Sequence, residues 1–287
     1  MRLRIIIVLI ALITGSIYSN NQTEVKKDSA ANASKWFPEA AVALNISQIS
    51  LNNWTQGGDN SLTWTLTGSN GVKYLGEEWT FRNNIKATYG RAKLGNQDFR
   101  TNENELFLET VLSKRISWEV DPYLSNTIRT SITKGYNYKV TPYQEIADFF
   151  DPGYVTQGLG FTYDKVTGFK TRMGFAVKET FTNSNRNYSD DTSTVKEEAF
   201  KVETGLESAT NVDYELLENF TVKSALRLFT RYENLDTWDV RWDNTFIAKI
   251  NEFINVNLNM LVIYEKKQSL RTQMKESLQL GLMYKLF

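Results

Sequence analysis

Residues 220–250 read FTVKSALRLFTRYENLDTWDVRWDNTFIAKI, and their pattern predicts two antiparallel strands joined by one short turn. Apolar and charged side chains alternate at every second residue, which is the periodicity of a strand and not of a helix. Strands of about ten residues with one apolar face, bounded by Tyr and Trp, are typical of a transmembrane β-barrel with lipid outside and a polar lumen. The charged face carries Lys223, Arg227, Arg231, Asp239, Arg241, Asp243 and Lys249.

The same stretch also predicts a register. If the turn is centred on Leu235, Arg231 lies opposite Asp239. In the same register, Arg227 lies opposite Asp243. We therefore expect both ion pairs to face the lumen, because cross-strand neighbours share one face of a sheet.

The rest of the chain repeats this pattern until twelve strands are reached. Long connections alternate with short ones, as expected of a barrel with long external loops and tight periplasmic turns; residues 68–78 are the exception, being long for such a turn. The sequence thus predicts an all-β fold, an antiparallel up-and-down transmembrane β-barrel over residues 41–287. The predicted strands are 42–53, 61–67, 79–89, 105–114, 117–131, 154–163, 169–181, 200–212, the two strands of 220–250, 253–265 and 272–287.

The two ends of the chain predict export to the outer membrane. Residues 1–19 combine two arginines, an apolar run shorter than the ~20 residues of a membrane-spanning helix, and small residues, which is the order of a signal peptide. Residues 20–40 are rich in Asn, Ala, Ser and Lys and predict a flexible periplasmic lead. The last strand ends at Phe287 and resembles the signal by which outer-membrane barrels engage their assembly machinery. Membrane lipid and that machinery are therefore the expected partners.

Composition excludes several classes of function. Lysine plus arginine equals aspartate plus glutamate at 33 each, so no nucleic-acid partner is expected. The absence of Cys and His removes disulfides, thiolate metal sites and the usual general base of acyl transfer. The carboxylate pairs Asp190-Asp191 and Glu197-Glu198 are interpreted as solvated loop charges. We therefore expect no catalytic residue, no metal site and no cofactor, and the protein is not expected to be an enzyme.

Residues 54–61, WTQGGDNS, resemble the W-x-x-G-G-x-N-S signature of an uncharacterised family of Bacteroidota outer-membrane proteins. The resemblance covers about residues 41–163 and implies an outer-membrane β-barrel, but no activity, because the family has none assigned. Gly57 and Gly58 are interpreted as the residues with positive φ in a hairpin loop. Further matches lie at residues 89–90, 135–138 and 149–154.

The charged residues that would face the lumen form the first candidate site. A twelve-stranded barrel lies between small barrels filled by side chains and 16- to 18-stranded porins with a water channel. The charges either pair across strands and only keep the lumen polar, or line a narrow conduit that selects small polar or anionic solutes. The candidate lumen-lining residues are Arg82, Lys86, Arg227, Arg231, Asp239, Arg241 and Asp243.

Two alternatives to a channel remain open at this point. The long loop 132–153 is rich in aromatic residues, which suits a structural or assembly barrel that binds a protein or glycan partner without transport. A soluble periplasmic barrel would instead place the Trp and Leu rows inside. The candidate loop-binding residues are Tyr136, Tyr138, Tyr143, Phe149 and Phe150.

Overall fold

A computed structural model describes residues 9–10, 35–53, 58–191, 193–266 and 269–285. The predicted signal peptide, apart from Leu9 and Ile10, lies outside the described residues, as do residues 20–34 of the predicted lead and Phe287. The described part contains one short 3-10 turn, Arg186–Tyr188. None of its helices is long and apolar enough to cross a membrane.

Twelve antiparallel strands form a closed ring. Each strand pairs with the next along the chain, and the twelfth returns to pair with the first. The predicted fold class, an all-β up-and-down barrel of twelve strands, is confirmed. The strands are β1 Trp36–Ile49, β2 Ser61–Leu75, β3 Trp79–Leu94, β4 Arg100–Lys114, β5 Asp121–Thr130, β6 Gly153–Val166, β7 Phe169–Phe181, β8 Phe200–Leu217, β9 Phe220–Arg231, β10 Asn234–Lys249, β11 Ile254–Tyr264 and β12 Gln273–Lys285.

Several strands extend beyond their predicted bounds, and in β1 and β2 this changes the assignment of neighbouring segments. β1 starts at Trp36, so residues 36–40 belong to the barrel wall and not to the predicted lead. β2 continues to Leu75, and the long turn expected over residues 68–78 is only residues 76–78. The pattern was missed in β2 because Gly68 and Asn70 interrupt its apolar outward row.

The connections define two ends of the barrel. At the turn end, where β1 starts and β12 finishes, they are short: 76–78, 115–120, 167–168, 218–219 and 250–253. The loop end carries the two long loops predicted by the sequence, now residues 131–152 and 182–199. The third long loop expected there, 91–104, is only residues 95–99, because β3 and β4 extend into it.

The β9–β10 hairpin has the predicted faces but a different register. Arg227 lies opposite Arg241, and Asp243 lies opposite Ala225. The predicted direct pairs of Arg227 with Asp243 and of Arg231 with Asp239 are therefore wrong. The ladder is displaced by two residues and has an irregularity before Arg231. A displacement of two leaves every side chain on its original face, because the strand repeats every second residue.

The outer face of the wall is apolar and the inner face is polar. On β7, Met173 and Phe175 point outward and are 59% and 64% exposed, while Arg172 points inward and is 6% exposed. The soluble alternative, which needs the apolar rows inside, is contradicted by this arrangement. Ten residues separate the outward Trp79 from Tyr89 on β3. At roughly 3.3 Å per residue and a tilt of about 40°, they span about 25 Å, the height of the apolar band of a transmembrane barrel.

Aromatic side chains cluster at both ends of this apolar band. At the turn end, the ring of Trp36 lies 4.8 Å from that of Tyr74 and 6.2 Å from that of Phe81. At the loop end, Phe181 lies 4.9 Å from Phe200. Such belts mark the two membrane interfaces of a transmembrane barrel.

The seam between the last strand and the first is short. Among the described residues, β12 pairs with β1 at four positions, from Leu282 opposite Leu44 to Lys285 opposite Ala41. The next shortest ladder, β4 with β5, has eight. Towards the loop end, the free edge of β1 is instead paired at two positions with the two-residue strand Leu9–Ile10.

A charged lumen as the candidate functional site

An ion-pair network crosses the middle of the lumen. Nη2 of Arg172 on β7 donates to Oε1 of Glu109 on β4 at 2.9 Å. Nη1 of Arg227 on β9 donates to the same oxygen at 2.8 Å. These strands are not neighbours in the ring. The three side chains therefore tie opposite parts of the wall together and occupy part of the lumen.

Glu207 on β8 extends this network along the wall. Its Oε1 lies 3.5 Å from Nε of Arg172 and accepts hydrogen bonds from the hydroxyls of Tyr123 at 2.9 Å and Ser125 at 3.2 Å. Gly158 on β6 faces the same place. A Cβ there would collide with the Glu207 carboxylate and lie 2.7 Å from Oγ of Ser125. The missing side chain at Gly158 makes the room that the network fills.

A second cluster lies near the loop end. The guanidinium of Arg231 binds Glu203 through Nε at 2.7 Å and Nη2 at 3.2 Å. It also binds Asp239 through Nη1 at 3.0 Å and Nη2 at 2.8 Å. Lys178 lies 3.3 Å from Asp239 and 3.0 Å from Glu265. This cluster is nearly closed to solvent, since Arg231 is 6% and Asp239 8% exposed.

A third group joins β10 to β4. Nε of Arg241 binds Asp243 at 3.0 Å, and its Nη2 binds Glu105 on β4 at 3.1 Å. Nearer the loop end, Nζ of Lys275 on β12 lies 2.7 Å from Glu103 on β4. The acidic row of β4 thus neutralises cations that come from other strands.

An open cavity of about 570 Å³ lies beside these networks. Its lining runs from Lys73 and Lys170 at the turn end to Glu103 and Lys275 at the loop end. A volume of this size accommodates a small solute. The lumen is therefore neither completely filled nor as wide as a water-filled porin.

The residues predicted to line the lumen all face it, but they are divided between the cavity and the loop-end cluster. Arg231 and Asp239 lie in the loop-end cluster and do not line the cavity. The cavity-lining members of the set are Arg82, Lys86, Arg227, Arg241 and Asp243.

The acidic partners of these cations were not predicted from the sequence. Glu103, Glu105 and Glu109 recur at odd positions of β4, which is the periodicity of one strand face. Read as a face, that row would have identified a lumen-facing acidic strand. Glu203 and Glu207 on β8 follow the same rule.

The predicted loop-binding tyrosines pack against the barrel rim. The guanidinium of Arg100 on β4 lies 5.3 Å from the ring of Tyr138 and 5.6 Å from that of Tyr143. The amide of Thr101 donates to the hydroxyl of Tyr138 at 3.1 Å. The ring of Tyr136 lies 6.1 Å from that of Tyr138. These contacts hold the loop hairpin formed by Gly135–Asn137 and Gln144–Ala147 down on β4.

The two predicted phenylalanines lie elsewhere, in the outer aromatic belt. The ring of Phe150 is 5.7 Å from Phe181 on β7 and 6.2 Å from Phe149. Phe149 is 61% exposed. The five residues therefore do not form one surface, because the tyrosines lie over β4 and the phenylalanines beside β7.

Asp151 connects the two long loops. Its buried carboxylate accepts backbone hydrogen bonds from Asn183 at 2.9 Å, Ser184 at 2.8 Å and Asn185 at 3.2 Å. Burial alone would raise the pKa of Asp151, but the donated hydrogen bonds outweigh burial and lower it. Asp151 is a structural tether in its charged form.

The carboxylate pairs of loop 182–199 serve the loop itself. Glu198 accepts the backbone N–H of Asp191 at 3.0 Å and the hydroxyl of Thr194 at 2.5 Å, and these hydrogen bonds lower the pKa of Glu198. Within the part of the chain that the structure describes, no group of three or more acidic side chains is arranged to hold a metal ion.

Comparison with known proteins supports an uncharacterised family. Residues 46–136 match the family described as "Protein of unknown function (DUF3078)". This range lies within the resemblance predicted for residues 41–163; the origin in Bacteroidota stays a prediction. Of the two glycines interpreted as hairpin residues, Gly58 has φ +122°, and Gly57 lies outside the described residues.

No curated protein matches the chain. Among solved structures, it is similar to the translocator domain of the autotransporter NalP from Neisseria meningitidis, with 10% identity and a TM-score of 0.38. That similarity covers 88% of this chain and 89% of the other.

Proposed function

We propose that this protein is an outer-membrane β-barrel that passes small polar or anionic solutes through a narrow lumen. The observation that carries the proposal is the cavity of about 570 Å³, whose lining extends from Lys73 near one end of the strands to Lys275 near the other. A cavity with charged side chains in its walls, along the axis of a barrel with an apolar exterior, is the arrangement of a pore.

The charges of the lumen support selection by size and polarity. Arg172 and Arg227, bound to Glu109, occupy the middle of the lumen and narrow it to the space beside them. The remaining walls present charged and amide groups that can replace the hydration shell of a polar solute. Apolar side chains such as Phe107, Val111 and Met260 also line the cavity, so selection rests on the width left beside the central ion pairs and on the charges of the lining.

The location and class of the protein are parts of the same proposal. The two aromatic belts and the apolar wall between them support insertion into a bilayer. We infer export by a signal peptide at residues 1–19, contact with outer-membrane lipid, and assembly through the C-terminal strand. Passage, and not catalysis, is the proposed activity. No enzyme reaction, metal or cofactor is part of it.

Planar-bilayer conductance of the refolded protein tests the proposal. A double variant, Arg172→Ala with Arg227→Ala, removes the side chains that cross the lumen, so its single-channel conductance should exceed that of the wild type. Lys249→Ala is the matched control, because Lys249 is an exposed cation paired with Glu215 at the turn end. A folded barrel that conducts nothing in wild-type and double-variant form, and gives no solute flux in liposome swelling, would refute the proposal.

A second candidate, a barrel whose loop binds a protein or glycan, is favoured by one observation. Three apolar or aromatic residues of the loop hairpin remain exposed on the rim. Deleting residues 135–147 should abolish partner capture and leave conductance intact. Loss of conductance without any captured partner would favour the channel alone. The exposed residues are Val140 at 41%, Tyr143 at 51% and Ile146 at 39%.

A further inference from the structure

Two cross-strand pairs in the lumen place like charges directly opposite each other. Arg227 on β9 lies opposite Arg241 on β10. Lys73 on β2 lies opposite Arg82 on β3. Directly opposed like charges destabilise a sheet unless something neutralises them. The two pairs differ in how this is done.

Carboxylates of the chain neutralise the arginine pair. Arg227 binds Glu109 at 2.8 Å. Arg241 binds Asp243 at 3.0 Å and Glu105 at 3.1 Å. Each cation of this pair therefore has its own counter-charge within hydrogen-bonding distance, and the repulsion between them is offset.

The lysine–arginine pair has no such partner. Among the residues that the structure describes, neither Lys73 nor Arg82 forms an ion pair within 4.0 Å. Lys170 on β7 lines the same cavity and also forms no ion pair within that distance. It is close enough to Lys73 and Arg82 for their charges to act on it. Three cations that bind no carboxylate thus line the turn end of the cavity.

The surrounding charges leave this place positive. The charged groups that act most strongly on Lys73 and Lys170, apart from these lysines themselves, are the cations Arg82 and Arg115 and the carboxylates Glu39, Asp164 and Asp213. Asp213 is already bound by Lys223 at 3.1 Å. Two carboxylates, Glu39 and Asp164, therefore remain to neutralise four cations.

We propose that Lys73, Arg82 and Lys170 form a binding site for a small oxyanion, such as phosphate, sulfate or a carboxylate, at the turn end of the lumen. The guanidinium of Arg82 supplies a planar pair of donors that matches two oxygens of such an anion. The ammonium groups of Lys73 and Lys170 supply two further positive charges. A bound anion would neutralise Lys73 and Arg82, as Glu109, Glu105 and Asp243 neutralise the arginine pair.

The role of this site in transport rests on the proposed function: the site would favour the passage of anions over that of cations. Binding itself does not require an open channel. It can therefore be measured on the refolded barrel in detergent, separately from conductance.

Titration calorimetry with inorganic phosphate at constant ionic strength is the direct test. The double variant Lys73→Gln with Arg82→Gln should bind phosphate at least about tenfold more weakly than the wild type, the effect of losing a charge-assisted hydrogen bond. Lys275→Gln, which removes a lumen cation already paired with Glu103, should change the affinity by less than about twofold.

A charge reversal keeps the test independent of folding defects. Lys73→Glu supplies the missing carboxylate opposite Arg82, so it should abolish phosphate binding and leave a barrel at least as resistant to heat as the wild type. A wild type that binds no phosphate, or a double variant that binds it as tightly, would overturn the site. Phosphate binding without conductance would keep the site and remove the proposed channel.

Discussion

Arg231 and Asp239 form a two-bond ion pair although the sheet does not place them opposite each other. Nη1 and Nη2 of Arg231 donate to the two carboxylate oxygens at 3.0 and 2.8 Å. In the ladder, Arg231 pairs with Asn234, and Asp239 pairs with Phe229. The guanidinium reaches diagonally across the hairpin at the point where the ladder is irregular, so a side-chain contact holds the strands together there.

Removing this contact should weaken the barrel. Asp239→Ala takes a carboxylate from both Arg231 and Lys178, and we expect the free energy of unfolding to fall by about 1–3 kcal/mol, because a buried charged group then loses its partner. Glu203 still binds Arg231 and limits the loss. Urea unfolding in lipid vesicles measures it. Asp236→Ala, on the exposed side of the same turn, is the control, and equal effects of the two changes would contradict the prediction.

The glycine under the Glu207 network should tolerate no side chain. Gly158→Ala puts a methyl group where the Glu207 carboxylate lies, so we expect a loss of about 1–3 kcal/mol from overpacking. Gly68→Ala is the matched control, because a Cβ at residue 68 would have no neighbouring atom within 4 Å. That change should be neutral or stabilise by up to about 1 kcal/mol. The same urea titration compares them, and a neutral Gly158→Ala would show that the network is not fixed by packing.

The outward face should reject charge. Phe175 lies at the centre of β7 and is 64% exposed on the outer wall. Phe175→Arg should cost about 2–4 kcal/mol of folding free energy in vesicles, the cost of arginine near the middle of a bilayer. Val195→Arg, in a fully exposed position of loop 182–199, should cost almost nothing. If the two changes cost the same, the apolar wall does not face hydrocarbon.

The tether between the two long loops should fail in acid. The hydrogen bonds from residues 183–185 lower the pKa of Asp151 in the folded protein, so its contribution to stability is complete above the ordinary aspartate pKa of about 3.9. That contribution is lost as the pH falls through the lowered value. The protection of the backbone amides of Asn183, Ser184 and Asn185 against hydrogen exchange, relative to the intrinsic rate at each pH, should therefore fall below about pH 3.9. In Asp151→Asn, the same three amides should be less protected at neutral pH, and their protection should no longer depend on pH in this range. Protection that does not change with pH in the wild type would contradict the tether.

The faces of the strands could be predicted from the sequence, whereas the register could not. Alternation along residues 220–250 identified which side chains point inward, and the structure agrees for Arg227, Arg241 and Asp243. A slip of two residues leaves that alternation unchanged. The turn therefore had to decide the register, and the alternation does not record the irregularity that the ladder has at Arg231.

The contacts across the lumen were out of reach for a different reason. Arg227 meets Glu109 across 118 residues of chain, and Arg241 meets Glu105 across 136. Such contacts depend on how far the ring staggers when it closes. A single sequence shows which residues face inward but not the stagger. The inward-facing charges can therefore be predicted from it, but not which cation binds which carboxylate.

The short seam between β12 and β1 makes one part of the wall easier to open than the rest. Local unfolding begins where the fewest backbone hydrogen bonds must break, and four residue pairs close this junction among the described residues. Thermal breathing of the barrel should therefore be concentrated here. A transient slit between Leu44 and Leu282 would connect the polar interior sideways to the hydrocarbon of the membrane, at right angles to the axis of the pore.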